Sequence, residues 1–347
     1  MSESMHDDYL WDRSGEVDRD VARLERLLGR FSAVPPGDLP RLPLNEGNRP
    51  VPGSGPWRSW VAAAAVALLA AGAGWAMHDV TDRHSEPWRV ARIQGTPTMS
   101  AVPLAPRARV TRGQWLETDD RSSAVVFVGR IGRLEVSPGS RLRLLTAAPG
   151  EHRAELERGT IEAMIWAPPG QFVVDTPSAT AVDLGCAYTL TLDDHGVGLL
   201  RVQAGWVGFE YEGRESFIPA GASGRTYPVK GPGTPTYDDA TAALRAAVEA
   251  LDRADEAGDQ RAPLEVVLRE ARRQDGLTLW HLVDRVDPAL APLVVDRLHA
   301  LVPMPNGVTR EGVLSGDRGM RDAWWEALGL GTADWWRTWR QRWAEGE

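Results

Sequence analysis

The sequence predicts a membrane-anchored protein of several domains: a single transmembrane helix, an all-β domain of sandwich or solenoid type, and a C-terminal all-α domain of short antiparallel helices. Three observations predict it. Ser59 to His78 form an uncharged stretch of twenty residues. Apolar and polar residues alternate through 88–230, and from Asp238 onward the alternation gives way to helical spacing.

The stretch 59–78 holds no Asp, Glu, Lys or Arg, and Arg58 and Asp79 close it at both ends. At a rise of about 1.5 Å per residue it reaches roughly 30 Å, the thickness of a bilayer's hydrocarbon core. Trp57, Trp60 and Trp75 stand near its ends, where indoles favour the headgroup layer. Nine of the twenty residues are Ala, so insertion rests on Val61, Val66, Leu68, Leu69, Met77 and the tryptophans. Ala63, Ala67 and Ala71 give the small-residue spacing that lets two such helices meet in a weak homodimer. A cleaved leader is not expected, because 58 residues precede the stretch. Arg41, Arg49 and Arg58 on one side balance Arg83, Arg89 and Arg92 on the other, so charge leaves the orientation open.

Before it, residues 1–33 carry one amphipathic helix with Val17, Val21, Leu24, Leu27, Leu28 and Phe31 at helical spacing. Asp18 and Asp20 near its start and Arg26 and Arg30 near its end suit the helix dipole. So short a helix is marginal alone in water, so its stripe packs on its own N-terminal turn or on another copy, or forms a face for a cytoplasmic partner. Residues 34–58 form a linker, with seven prolines and four glycines between Val34 and Pro56.

Composition narrows the function classes. The chain has 347 residues and a net charge of −9 with no basic block, which leaves nucleic acid without an electrostatic footprint. Cys186 is the single cysteine, so no intramolecular disulfide and no thiolate metal cluster is available. Set in a strand pattern, it reads as a small buried hydrophobe.

After a short neck at 79–87, the domain 88–230 shows apolar pairs two apart: Leu134 and Val136, Leu142 and Leu144, Phe172 and Val174, Leu190 and Leu192, Val207 and Phe209. Period two means strands, and Gly113, Gly139, Gly159, Gly170, Gly205 and Gly221 punctuate them as turns. Short strands with regular turns build a β-sandwich or a β-solenoid.

Within that domain, Gly159-Thr160-Ile161 is followed by Phe172-Val173-Val174-Asp175-Thr176-Pro177-Ser178-Ala179. Next come Val182-Asp183-Leu184-Gly185-Cys186-Ala187-Tyr188-Thr189-Leu190 and Val202-Gln203-Ala204-Gly205-Trp206-Val207. In order and spacing this resembles the FecR domain, with Gly159, Phe172, Val174, Thr176, Pro177, Gly185, Tyr188, Gly205 and Val207 at the motif positions as structural residues. Cys186 stands where the family usually has Thr, and Leu184 where Arg is common. The resemblance implies a single-pass protein of the bacterial inner membrane, with a cytoplasmic N-terminus and a periplasmic β-solenoid. It further implies an outer-membrane or envelope protein as the source of a signal, and an extracytoplasmic-function sigma factor as the cytoplasmic target. Residues 1–33 are shorter than the usual cytoplasmic anti-sigma region, and they lack the zinc-binding His and Cys signature of another anti-sigma class.

The domain 238–347 shows four apolar stripes: Leu244, Val248 and Leu251; Leu264, Val267 and Leu268; Leu279, Leu282 and Val283; Leu290, Val294 and Leu298. Tight breaks at Gly258, Gly276 and Pro288 predict antiparallel pairs, closed by helices over 320–330 and 333–344. Trp336, Trp339 and Trp343 share one face of the last. His281, His299, Asp287 and Asp296 lie in one helical stretch, but no nucleophile elbow accompanies them, so no enzymatic activity is expected. His78 and His84 lack a third ligand, so neither a metal nor a cofactor is expected. Two functions remain: a transmembrane sigma-factor regulator, or a cell-envelope interaction or wall-binding module with an N-terminal anchor. A rigid junction near 231–235 predicts that the β and helical domains dock.

Overall fold

The computed structural model describes residues 87–105 and 107–331. The stripe Val17, Val21, Leu24, Leu27, Leu28 and Phe31, the linker 34–58, the apolar stretch 59–78 and the tryptophans of 335–343 lie outside the described residues.

Two sheets face one another across a shared core. The first runs through strands Trp88–Gln94, Ser123–Val128, Gly132–Val136, the second half of Glu151–Ile165, Ala187–Leu192, Gly198–Ala204 and Ala222–Tyr227. The second runs through Trp115–Glu117, Arg141–Ala148, the first half of Glu151–Ile165, Phe172–Asp175, Thr180–Asp183, Trp206–Tyr211 and Arg214–Pro219. The long strand therefore belongs to both sheets, and Gly159 is where it passes from one to the other. Its φ of 91° lies in the left-handed region, and a Cβ there would meet Ser140 Cα at 2.3 Å. Ser140 Oγ fills that space, accepting from Thr160 N–H at 2.9 Å.

Alternation fixes which side chains face inward. Leu134, Ile161, Leu190 and Leu200 from the first sheet meet Leu156, Phe172, Val174 and Val207 from the second, all fully buried in one cluster. Pairing is antiparallel except between Phe172–Asp175 and the long strand, among the described residues. Hairpins, and not in-register parallel coils, join the strands, so the layers form a sandwich.

Helices follow: α1 (Ala242–Arg253), α2 (Ala257–Glu270), α3 (Gly276–Leu282), α4 (Ala291–Leu301), α5 (Arg310–Leu314) and α6 (Arg318–Ala327). Thr241 caps α1 by accepting from Leu244 N–H at 3.1 Å, and Asp317 caps α6 through Met320 N–H at 2.9 Å. None is long enough to persist alone, and Leu244, Leu264, Val267, Leu282, Val294 and Trp324 supply their common core. The chain between the two halves is not a free tether. Gly231–Pro232 and Thr236–Tyr237 add to strand Ala222–Tyr227, and 231–235 is buried throughout. Leu277, Trp325 and Leu330 extend from the helical half into the β core.

The expectation of a membrane-anchored fold needs correction. The described chain is mostly β-sheet with six short helices, and no helix in it is long and apolar enough to cross a membrane. α2, the longest, has 14 residues and carries Asp259, Arg261, Glu265, Arg269 and Glu270, whereas a crossing takes about 20 apolar residues.

Candidate functional site: the seam between the sandwich and the helices

Strand Arg214–Pro219 lies at the edge of the second sheet, and an edge strand presents unpaired N–H and C=O groups that must find partners. Here the helical half supplies them. Phe217 N–H donates to His281 Nε2 at 3.1 Å, and Arg285 donates to the Glu215 carbonyl and, at 2.7 Å, to Ser216 Oγ. Ser216 Oγ in turn donates to the Gly233 carbonyl at 2.7 Å. Arg285 Nη1 reaches Thr234 Oγ1 at 3.1 Å, and Asp252 accepts from both the N–H and the hydroxyl of Thr234, at 2.7 and 2.8 Å. Arg214 adds a looser ion pair to Asp252 at 3.7 Å. One network thus ties the edge strand, the 231–235 segment, α1 and the end of α3.

His281 can serve here only in one protonation state. Its Nε2 accepts the strand's N–H, so Nδ1 carries the hydrogen and donates to the Leu277 carbonyl at 2.8 Å. A second proton would collide with Phe217 N–H. Burial, then the neighbouring Arg285 charge, push its pKa well below the usual histidine value, which keeps the ring neutral.

An aromatic cluster closes the seam. Trp325 lies 4.8 Å from Trp280, 5.8 Å from Trp206, 6.0 Å from His281 and 6.1 Å from Phe217, ring centroid to centroid. The Arg321 guanidinium lies over Trp280 at 4.7 Å and pairs with Asp284. Between the edge strand and these helices opens a cleft of about 430 Å³.

His299, Asp287 and Asp296, which share the helical stretch with His281, do not converge on it. His299 Nδ1 accepts from Met304 N–H at 3.1 Å, Asp296 pairs with Arg310 at 2.6 Å, and Asp287 Oδ1 accepts from Ala289 N–H at 2.8 Å. His299 and Asp287 hold local turns, and Asp296 ties α4 to the start of α5.

The motif residues serve the fold of the sandwich. Phe172, Val174 and Val207 are fully buried, and Tyr188 is buried beside them. Thr176 Oγ1 accepts from Ala179 N–H at 2.9 Å and, with Pro177, makes the corner after Phe172–Asp175. Gly185 and Gly205 form stacked corners, each with positive φ, and a Cβ on Gly205 would meet the Gly185 carbonyl at 2.2 Å. Beneath them Cys186 Sγ donates to Asp183 Oδ2 at 2.6 Å, and Gly185 N–H donates to Oδ1 at 2.7 Å. Burial raises the Asp183 carboxyl to about 7 and pushes the Cys186 thiol and the Tyr188 hydroxyl up as well. Cys186 is therefore a protonated, buried thiol. Sequence reasoning missed Arg285, Asp252 and Ser216. Arg285 and Ser216 stand 69 residues apart, and no local pattern marks either.

No family model matches the chain, so its likeness to the FecR domain rests on the motif residues alone. No curated protein matches it in sequence. Among solved structures, two crystal structures of a candidate anti-sigma factor from Parabacteroides distasonis, at 1.65 and 2.50 Å resolution, are similar to it. Each shares 16% identity over 39% of this chain and 64% of that one, with a TM-score of 0.31. The match thus spans less than two thirds of that protein.

Proposed function

We propose that this chain is a non-enzymatic regulator of a sigma factor, in which residues 87–331 receive a signal and residues 1–33 meet the sigma factor. The observation that favours a regulator over an enzyme is the use made of His281. The one buried histidine in the helical stretch is spent at both ring nitrogens on backbone groups, bracing one structural half against the other. A side chain so committed is suited to holding a conformational state and not to moving protons for a substrate. The sigma factor as target is what the resemblance to the FecR domain, carried by the motif order between Gly159 and Val207, implies, and the helical spacing of the apolar residues from Val17 to Phe31 is of the kind a protein partner covers. The signal is read as coming from an envelope protein or from a small molecule in contact with 87–331.

Deleting residues 7–31 from the chromosomal copy and sequencing the transcriptome tests this reading. Loss of control over a defined promoter set, restored by the full chain, is the expected result. Unchanged transcription would overturn the regulator and leave an envelope interaction module in its place.

A further inference from the structure

We propose that the cleft between strand Arg214–Pro219 and the helical half binds a small zwitterion of peptide class, with its carboxylate toward Arg285 and Arg321 and its ammonium toward Asp284. The volume, about 430 Å³, falls within the range of small-molecule sites, and the cleft lies between two packed structural halves, where such sites concentrate.

Two of the three arginines that line the cleft are withdrawn: Arg321 is only 9% exposed, and Arg285 is half-buried with its hydrogen bonds going to a carbonyl and two hydroxyls, while the third, Arg214, pairs with Asp252. Asp284, the carboxylate that pairs with Arg321, has a side chain 58% exposed, and Glu212 beside it is exposed too. A guanidinium whose counter-charge stands in water gains more from a second anion than one already paired in the interior. Burial lowers Arg285 to about 9 and Arg321 to about 10, against the opposing charges of Asp252 beside the first and Asp322 beside the second. Glu215, half-buried on the strand side, already has a partner.

A single anion would satisfy the deep end and be repelled at the rim. A molecule with both charges fits both, lying antiparallel to the existing Arg321–Asp284 pair. Trp280 and Phe217 supply an apolar wall for its body. Because strand and helices each contribute a wall, an occupant bridges the seam. As the input of the regulator this rests on the proposed function; the binding itself does not.

Calorimetry on the full chain tests it, with the dipeptide Ala-Leu, its C-terminal amide and its N-acetyl form as probes. The amide and the N-acetyl form are each expected to bind at least about 10-fold more weakly than Ala-Leu. Asp284→Asn, a change at an exposed side chain, should weaken Ala-Leu about 10-fold and leave the N-acetyl form unaffected, since that probe lacks the ammonium. No heat from millimolar Ala-Leu, equal binding of the amide, or equal loss of both probes in Asp284→Asn would each overturn the site. Binding that follows this pattern without altering transcription would uphold the site and overturn its regulatory use.

Discussion

Replacing Trp325 by Ala should loosen the helical half from the sandwich. The indole is 2% exposed and touches aromatic rings from both halves, Trp206 and Phe217 on one side and Trp280 and His281 on the other. Truncating a buried Trp to Ala costs about 3 to 5 kcal/mol. Against that, its Nε1–H is buried without a partner among the described residues, and removing such an orphan donor returns about 1 to 3 kcal/mol. The net expected loss is about 2 kcal/mol. Trp325→Phe keeps most ring contact and drops the orphan donor, so it should stay within about 1 kcal/mol of the parent. Urea unfolding of the full chain, followed by circular dichroism, separates these outcomes. The parent should show the halves unfolding together and Trp325→Ala should split the transition, because the seam is what couples them. A loss below about 1 kcal/mol with coupled unfolding intact would refute the reasoning.

Acid should weaken the seam through His281. Its folded-state pKa lies below that of the unfolded chain, so the unfolded chain takes the proton first. Stability from this group is complete above about pH 6.5 and falls below it by up to about 1.4 kcal/mol per pH unit, a slope that His281→Gln should remove in pH-dependent urea titrations. Asp183 has the opposite sign. With its folded pKa raised to about 7, the folded chain holds the proton longer than the unfolded one. Stability therefore declines as pH rises from about 4 to 7, and Asp183→Asn should flatten that part of the profile. Gly205→Ala should cost about 2 to 4 kcal/mol by thermal melting, since positive φ and the Gly185 carbonyl at 2.2 Å both oppose a methyl group. Gly113→Ala, with similar φ and nothing within 4 Å, should cost only about 1 kcal/mol.

Period-two spacing was a sound guide to the sandwich core because inward and outward positions alternate rigidly along a strand. Leu134 with Val136 and Phe172 with Val174 are all buried as their spacing requires. The same pattern could not decide between sandwich and solenoid, since both bury alternate residues and differ only in which strands pair. Helical stripes such as Leu244, Val248 and Leu251 were equally legible, and these three are buried within α1. The seam was not. Phe217 and His281 are 64 residues apart, and whether a strand's N–H meets an imidazole depends on how two layers dock, which no local periodicity encodes. His281 stood out in the sequence only as a histidine near acids, and its physical role is set by the strand edge it covers. The residues 231–235 likewise read as a stiff Pro/Gly connector, while their backbone pairing and burial depend on the sheet beside them.

Native purification of the full chain from its own cells, with mass spectrometry of what travels with it, measures the proposed regulatory contact directly. A sigma factor retained in near-stoichiometric amount, and released when Leu24 and Leu28 are replaced by Asp, is the predicted result. Absence of any sigma factor from the intact chain, or equal retention by the Leu24→Asp, Leu28→Asp variant, would contradict it.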